Sequence, residues 1–227
     1  MKKYYEAYEN RYQAVHQKGY QWSSSLPTPI VKETMTKYGI GRDASILEEG
    51  CGEGRDAGSL LPEGYMVTAA DLSPSAIAYC QKTYPAHAEK FIVLDCLYGH
   101  HPCRYDFIYA VAFLHMLVVD EDRSAFYRFL HEHLKDDGLA LISSMGDGVM
   151  TRRTDPRTAF VRQERETAMG KVMVAATTCR MVSWEELETE IRENGFVIVE
   201  KGLTESLPDF NSLMYAVAAA AGNNRGE

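Results

Sequence analysis

The sequence predicts an α/β protein with three layers, in which a doubly wound, mostly parallel seven-stranded sheet ends in an antiparallel C-terminal hairpin. Strand-like and helix-like segments alternate along the chain, as they do in proteins with open parallel sheets. Five strand-like segments are short aliphatic or aromatic runs, as expected for strands that are covered on both faces. The last two strand-like segments leave no room for a helix between them, so they are expected to pair in opposite directions.

Five parallel strands are predicted in the first two thirds of the chain. Each is a run of β-branched, aromatic or aliphatic residues that ends at glycines, at a turn or at an acidic residue. Because parallel strands point the same way, the residues that follow them are expected to meet at one edge of the sheet. The five predicted strands cover residues 44–48, 65–70, 91–94, 107–111 and 139–144.

Helices are predicted between the strands from capping residues and apolar spacing. Ser73 is a predicted N-cap, and Ser183 is followed three residues later by Glu186, which is the spacing of a capping box. A turn that contains Pro208 and Asp209 is predicted between the last two strands. The helices are predicted over residues 74–84, 122–134 and 183–194, and the hairpin strands over residues 196–200 and 213–220.

Two regions do not follow the alternation of strands and helices. Residues 1–43 contain an aromatic, amphipathic helical stretch and a second predicted helix over residues 30–38, so an N-terminal helical cap is expected. The main domain is predicted over residues 44–227. Within it, residues 147–182 are too many for a plain loop, whose median length is about 4–6 residues, and they predict an insertion on the substrate side.

Composition and charge narrow the classes of partner. The chain has 227 residues, 45% of them hydrophobic, which is typical of a globular protein with an adequate core. Its formal net charge of −8 disfavours nucleic acid and anionic membranes as partners. The longest apolar stretch, residues 107–119, is shorter than the roughly 20 residues of a membrane span. The amino terminus lacks the apolar run of a signal peptide, so a cytoplasmic location is expected.

A glycine-rich turn, ILEEGCGEGRDAG, follows the first predicted strand at residues 46–58. Gly50, Gly52 and Gly54 allow the backbone to turn tightly and to approach a ligand closely. A nicotinamide fingerprint would place its third glycine at position 55, where this chain has Arg55, so a dinucleotide site is a weaker alternative. No G-K-S/T sequence follows, which argues against a phosphate-binding loop of the nucleoside-triphosphatase type.

Acidic residues follow the next two predicted strands. Asp71 ends the second strand, where its carboxylate can accept hydrogen bonds from both hydroxyls of a ribose. Asp95 holds the same position after the third strand. Together with the glycine-rich turn, these two acids predict a pocket that binds a nucleoside without neutralising a pyrophosphate. S-adenosylmethionine has this shape.

These motifs resemble those of the class I S-adenosylmethionine-dependent methyltransferases, over roughly residues 44–146 for the cofactor half and to about residue 220 for the fold. The family's acid followed by G-x-G-x-G resembles residues 48–54, and its L-K-x-G-G resembles residues 134–138. The resemblance implies a Rossmann-like methyltransferase fold with S-adenosylmethionine as the cofactor. Glu48 would contact the methionine amino group or orient the amides of the glycine-rich turn. The residues that the resemblance assigns to cofactor binding are Glu48, Gly50, Cys51, Gly52, Gly54, Asp71, Leu72, Asp95, Cys96 and Ala110.

Two residues outside these motifs are candidates for the reaction itself. Methyl transfer from a sulfonium is an in-line displacement that requires alignment, and a base only when the acceptor is neutral. His115, just beyond the fourth strand, is the candidate base or substrate contact, or else a satisfied histidine at a helix start. Trp22 is expected to close over the cofactor, because an aromatic face suits a sulfonium cation, or else to belong to the core. Its GYQW segment resembles the entrance segment of thiol, thiopurine and tellurite-resistance methyltransferases.

The acceptor is expected to be a small molecule, since the chain is acidic and lacks the motifs that nucleic-acid methyltransferases carry. Residues 151–180 contain seven arginines and lysines against three acids, which predicts contact with an anionic substrate or, alternatively, a solvated helix face. Adjacent His100 and His101 are not expected to bind a metal. A non-catalytic S-adenosylmethionine-binding module and a nicotinamide-dependent oxidoreductase are the alternative functions, and the protein is expected to be a monomer or a homodimer.

Overall fold

The computed structural model describes residues 2–204 and 212–222. In chain order, the strands of these residues are Ser45–Glu49 (β1), Met66–Asp71 (β2), Phe91–Val93 (β3), Tyr105–Ala110 (β4), Leu134–Met145 (β5), Arg152–Arg153 (β6), Arg162–Thr167 (β7), Gly170–Ala175 (β8), Arg180–Met181 (β9), Phe196–Thr204 (β10) and Leu213–Ala220 (β11). The α-helices are Ala7–Gln17 (α1), Pro29–Lys37 (α2), Arg55–Leu60 (α3), Pro74–Thr83 (α4), Asp120–His133 (α5) and Trp184–Glu193 (α6).

Seven strands form the main sheet, in the order β10–β11–β5–β4–β1–β2–β3. Strands β1 to β5 run parallel, and β11 pairs in the opposite direction with both β5 and β10. This topology confirms the predicted doubly wound sheet with an antiparallel hairpin. The chain proceeds from β1 toward β3 and then returns to place β4 on the other side of β1. Ligands bind in α/β sheets at such a switch point, beyond the carboxyl ends of the strands.

Helices cover both faces of the sheet, and each face has its own apolar core. On one face, α5 and α6 contribute Phe126, Leu130 and Ile191 to a buried cluster. On the other face, α2, α3 and α4 contribute a second cluster that includes Ile30 and Ile77. Among the described residues, none of the helices has both the length and the apolar character needed to cross a membrane.

All seven strands predicted for the main sheet are present, and two of them extend at least four residues beyond their predicted bounds. β5 begins at Leu134 rather than at residue 139, because Leu134 already pairs with Tyr105 before a shift in register. β10 continues to Thr204 because its polar end still pairs with β11. The part of β10 from Glu200 onward is mostly polar and contains no buried residue, so it offered no apolar run to detect. The predicted turn at Pro208 and Asp209 lies outside the described residues.

The two regions outside the alternation pack against each other at the carboxyl edge of the sheet. In residues 147–182, β6 pairs with β9, and β7 pairs with β8 as a hairpin. Val15 of α1 packs against Val172 and Val174 of this hairpin. The alternative of a solvated helix face for residues 151–180 is therefore wrong, because these residues form strands. Within residues 1–43, only the part before α2 lies over the sheet edge, since α2 belongs to a main helical layer.

Candidate functional site

Two adjoining cavities lie at the carboxyl ends of the central strands. The small cavity, of about 60 Å³, is lined by residues of the β2 and β3 ends that include Asp71, Leu72, Asp95 and Cys96. The large cleft, of about 730 Å³, extends from the glycine-rich turn to the β7–β8 hairpin. Four residues line both spaces, so the two cavities form one continuous site. They are Tyr8, Tyr12, Gly50 and Met116.

The glycine-rich turn forms the floor of this site. Gly50 and Gly52 both adopt positive φ, at 72° and 54°, a conformation that favours glycine. A side chain at Gly50 would collide with the Phe113 ring, and one at Gly52 would lie 2.5 Å from the Tyr12 hydroxyl. The turn therefore requires glycine at these positions, where it packs closely against Phe113 and Tyr12 while lining the cleft.

Asp71 lies at the end of β2, as the sequence predicts, and its carboxylate spans two loops. One oxygen accepts a hydrogen bond from the Gly52 N–H and the other from the Ser73 N–H, both at 2.8 Å. Burial raises the pKa of Asp71 to about 6, although these two N–H groups oppose the shift and Glu9 adds to it. Asp71 is thus ionised at neutral pH and faces the small cavity.

Glu48 makes hydrogen bonds of the kind expected for the second of its two predicted roles. Its carboxylate is buried and accepts hydrogen bonds from the Ala57 N–H at 2.9 Å and the Tyr109 hydroxyl at 3.1 Å. The Ala57 N–H belongs to the first turn of α3, which has no other side-chain cap. Glu48 therefore orients the helix that follows the glycine-rich turn, although it also borders the large cleft.

The other predicted cofactor residues divide into two groups. Asp95 accepts hydrogen bonds from the Leu97 N–H at 3.0 Å and from Lys3 Nζ at 3.3 Å. Leu72, Asp95 and Cys96 border the small cavity, and Cys51 borders the large cleft. Ala110 and Gly54 border neither cavity. Ala110 points into the core from β4, so Val111 and Ala112 reach the cleft instead, and Gly54 starts α3.

The segment before α2 is bound to each of the three loops that carry the predicted cofactor residues. Lys3 forms an ion pair with Asp95 beyond β3. Glu9 accepts hydrogen bonds from Ser73 and Ser75 beyond β2. Beyond β1, the fully buried Glu53 carboxylate accepts a bond from His16 at 2.8 Å and further bonds from the backbone that follows. Those further donors are the N–H of Trp22 and the N–H and hydroxyl of Ser23.

Trp22 borders the large cleft, where its ring stacks on the guanidinium of Arg11, 4.3 Å from ring centroid to carbon. The sequence analysis did not identify Arg11, Glu53 or Glu9 as site residues. No local pattern reveals them, because the hydrogen bonds that hold them in the site join residues between 30 and 166 positions apart along the chain. The Trp22 ring was expected to contact the sulfonium of the cofactor. In the structure it contacts a different cation, the guanidinium of Arg11.

His115 lies in the large cleft, in the short turn Leu114–Met116 that follows β4. Its Nδ1 accepts a hydrogen bond from the Met145 N–H at 3.3 Å, which assigns the ring proton to Nε2. Burial lowers the pKa of His115 to about 3, and the charges of Arg11 and Arg123 lower it further. The imidazole is therefore neutral at physiological pH.

The insertion forms the outer wall of the large cleft, with Thr154, Gln163 and Thr177 among the residues that face it. Thr177 and Ala112 have left-handed backbone conformations, with φ of 60° and 51°, and both border the cleft. Such strain in residues other than glycine is concentrated at functional sites. Within residues 2–204 and 212–222, no cluster of three His, Cys, Asp or Glu side chains is arranged to hold a metal ion.

Glu49 is a further site residue that was not predicted from the sequence. Its carboxyl group is buried against the small cavity, and one of its oxygens has no hydrogen-bond partner among the described residues. Burial raises the pKa of Glu49 well above its usual value, and the charge of Asp71 raises it further. Asp71 thus ionises first, and Glu49 holds its proton more strongly as a result.

Replacing Glu49 with glutamine is expected to stabilise the protein, and to do so more at pH 8 than at pH 5. A raised pKa in the folded state means that native stability falls as pH rises from about 4.5 toward the folded pKa. Glutamine does not titrate, so the stability difference should grow over this range to about 1–3 kcal/mol. Urea unfolding of both proteins at the two pH values measures it. A glutamine variant that is less stable at pH 8 would contradict the assignment.

The sequence of this chain is similar to that of known methyltransferases. The model of a protein family described as a methyltransferase domain matches residues 22–201. A protein of Geobacillus sp. (strain WCH70), named as a methyltransferase, is 31% identical to this chain over 125 residues. That alignment covers 49% of this chain and 47% of the relative, so the chain matches about half the length of that curated relative.

Solved structures share the fold at lower identity. The CcbJ methyltransferase of Streptomyces caelestis is 17% identical, with a TM-score of 0.70 over 94% of this chain and 99% of that chain. A 1,6-didemethyltoxoflavin-N1-methyltransferase of Burkholderia thailandensis is 19% identical, with a TM-score of 0.67 over 92% and 84%. A S-adenosylmethionine-dependent methyltransferase of Clostridium acetobutylicum ATCC 824 is 14% identical, with a TM-score of 0.65 over 85% and 89%.

Proposed function

The chain belongs to the class I S-adenosylmethionine-dependent methyltransferases, and from this membership we propose that it transfers the methyl group of S-adenosylmethionine to a small-molecule acceptor. The observation that carries the proposal is the ionised carboxylate of Asp71, bound to the N–H of Gly52 in the tight glycine turn that lines the cleft. A carboxylate suits the two hydroxyls of a ribose, and side-chain-free backbone suits a ligand that lies close to the turn.

The residues of both cavities fit this cofactor. In the small cavity, Leu72, Leu94 and Cys96 offer the apolar surroundings that a flat adenine ring requires. We propose that Asp71 binds the ribose, that Asp95 and Cys96 lie at the adenine, and that Gly50 to Gly52 adjoin the methionine end. In this proposal, Glu48 and Gly54 maintain the conformation of the glycine-rich turn without contacting the cofactor. Ala110 does not contact the cofactor either.

When bound, S-adenosylmethionine supplies an electrophilic methyl group on a sulfonium. The chain's own contribution is to align an acceptor and to exclude water, which can account for much of the rate enhancement. The segment before α2 and the β7–β8 hairpin cover the carboxyl edge of the sheet for this purpose. Tyr8 and Tyr12, where the two cavities join, are placed to separate the cofactor from solvent.

The size of the large cleft supports a small-molecule acceptor. Its volume of about 730 Å³ lies within the range of about 300–1,000 Å³ that is typical of small-molecule sites. Among proteins of this fold, the Burkholderia thailandensis structure contains bound 1,6-didemethyltoxoflavin and S-adenosylhomocysteine. We propose a monomer or homodimer that acts in the cytoplasm.

We propose that His115 contacts the acceptor as a neutral imidazole and not as a general base. A ring whose pKa is about 3 is a weak base at physiological pH. Replacing His115 with asparagine is therefore expected to lower kcat less than about tenfold, whereas loss of a general base costs about 10²–10⁴-fold. The wild-type kcat should also show no ascending limb near pH 6.5. Either a larger loss or such a limb would identify His115 as a base.

Calorimetry and turnover assays test the proposed function. S-adenosylhomocysteine, S-adenosylmethionine and NAD are titrated into the protein, and we expect the first two to bind and NAD not to bind. Turnover is then followed as S-adenosylhomocysteine release over a panel of small thiols, amines, phenols and carboxylic acids. NAD binding without S-adenosylhomocysteine binding would favour an oxidoreductase. Tight binding of S-adenosylmethionine without turnover of any acceptor would favour a non-catalytic binding module.

A further inference from the structure

Arg11 is a buried cation that borders the large cleft, with only 9% of its surface exposed. Its Nη2 donates hydrogen bonds to the Ala176 carbonyl oxygen, at 3.4 Å, and to the Thr177 hydroxyl. Its Nε makes no hydrogen bond among the described residues. Burying a guanidinium is costly unless an anion compensates its charge, so the position of Arg11 requires an explanation.

The groups around Arg11 are aromatic or cationic. The guanidinium carbon lies 4.3 Å from the Trp22 ring centroid and 5.0 Å from that of Tyr8. Burial lowers the pKa of Arg11, and the positive charge of Arg165 lowers it further. Tyr8 and Tyr12 oppose this shift. No carboxylate among the described residues contributes to this balance. Cation–π contacts are too weak to replace a counter-ion.

The carboxylates that border the large cleft already have other hydrogen-bond donors. Glu48 is bound by the Ala57 N–H and the Tyr109 hydroxyl, and Glu53 by the backbone after α1. Asp56 accepts hydrogen bonds from the N–H and hydroxyl of Thr28. The remaining one, Glu166, is exposed on the hairpin and makes no ion pair with Arg11 in the described part of the chain.

The arginines of the insertion differ in whether they have a carboxylate partner. Arg153 and Arg180 form ion pairs with Asp120 and do not border the cleft. Arg152 and Arg165 border the cleft, and neither has an ion pair within the described ranges. Among the arginines that border the cleft, Arg55 pairs with Asp56, whereas Arg11, Arg152 and Arg165 have no ion pair within the described ranges.

We propose that Arg11 binds an anionic group, of the carboxylate type, on the methyl acceptor, with Arg165 as a second cation at the hairpin. This inference rests on the proposed methyl transfer and deepens it by naming the class of acceptor. Thr177 supports Arg11, because its strained backbone holds the hydroxyl that binds Nη2. Arg11 and His115 border the same large cleft, which supports an anion site on the side where we propose that His115 contacts the acceptor.

Trp22 provides a direct reporter of the anion, because its ring stacks on Arg11. The chain has two tryptophans, so a Trp184→Phe protein contains Trp22 alone. This protein is saturated with S-adenosylhomocysteine and titrated with sodium benzoate, sodium acetate or inorganic phosphate at constant ionic strength. We expect a saturable change in Trp22 emission with the anions and none with methyl benzoate, an uncharged counterpart. Absence of a saturable response to all three anions would overturn the proposal.

Variants in the same background test the residue assignment. Arg11→Lys is expected to weaken benzoate binding about tenfold, because an ammonium lacks the planar fork of a guanidinium. Arg165→Gln should weaken it about threefold and does not disturb a buried position. Arg157→Gln, at an exposed arginine that pairs with Asp155 outside the cleft, is the matched control and should have no effect. Equal benzoate affinity in Arg11→Lys, Arg165→Gln and the control would overturn the assignment.

The methionine end of the cofactor is the other possible source of a carboxylate, and calorimetry distinguishes the two. We expect Arg11→Lys to bind S-adenosylhomocysteine within about threefold of the wild-type affinity. A loss of tenfold or more that is absent for 5′-methylthioadenosine, which lacks the carboxylate, would overturn the acceptor assignment. Failure of the wild-type protein to bind S-adenosylhomocysteine would instead refute the proposed function. Binding of S-adenosylhomocysteine without a response to any anion refutes the anion site alone.

Discussion

Replacing Asp71 with alanine is expected to weaken S-adenosylhomocysteine binding by about 100-fold. A hydrogen bond to a charged group contributes about 1.5–3 kcal/mol, and each 1.4 kcal/mol corresponds to a tenfold change in Kd. The substitution also removes the acceptor that joins the Gly52 and Ser73 N–H groups, so the loops on either side lose their link. Calorimetry measures the loss, and circular dichroism checks that the variant remains folded.

The pH dependence of binding provides a second measurement at the same residue. A ribose hydroxyl binds the ionised form of Asp71, whose pKa is about 6, so wild-type affinity should fall as pH decreases below about 6. The alanine variant should lose this dependence. Asp43→Ala, at an exposed aspartate outside both cavities, is the matched control and should behave as the wild type. Unchanged affinity in the Asp71 variant would refute the ribose assignment.

Replacing Glu53 with alanine is expected to lower the free energy of unfolding by about 3–5 kcal/mol. The carboxylate is fully buried, and its loss leaves the N–H groups of Trp22 and Ser23 without an acceptor. The segment before α2 should detach from the glycine-rich turn, so trypsin should cleave after Lys18 more rapidly. S-adenosylhomocysteine binding should weaken in parallel, because the same turn forms the floor of its site.

Urea unfolding and limited proteolysis measure these effects. Glu63→Ala is the matched control, since Glu63 is exposed and pairs only with Lys32 at the surface. A surface pair of this kind contributes about 0–1 kcal/mol, so the control should be nearly as stable as the wild type. If Glu53→Ala unfolds like the control and resists trypsin equally well, the carboxylate does not hold the segment in place.

The elements that were predictable from sequence depend on short-range signals. The hairpin strand Leu213–Ala220 has its predicted bounds, and the capping box of Ser183 and Glu186 is present. The position of Asp71 was predictable, because a residue that ends a parallel strand lies at the carboxyl edge of the sheet. The insertion strands were not found, because both faces of Arg162–Thr167 are polar and hold no alternation of apolar residues.

The missed site residues depend on distant parts of the chain. Glu53 stands between two glycines, and nothing local indicates that it binds Trp22. The pairing of Arg11 with Thr177 joins α1 to an insertion 166 residues away. Ala110 was assigned to the site from its place in a motif, but its direction on β4 depends on strand alternation, which turns it into the core. Composition and spacing do not carry such three-dimensional information.

The two halves of the site are supported by different parts of the chain. Strands β1 to β3 position the loops that we propose bind the cofactor, whereas the β7–β8 hairpin, which is not part of the main sheet, forms much of the opposite wall. Substitutions at Thr154 or Gln163 can therefore reshape the acceptor side while the backbone beneath the cofactor keeps its geometry. In evolutionary terms, this separation lets a lineage acquire new substrates by exchanging a few hairpin side chains, without rebuilding the machinery that activates the methyl donor.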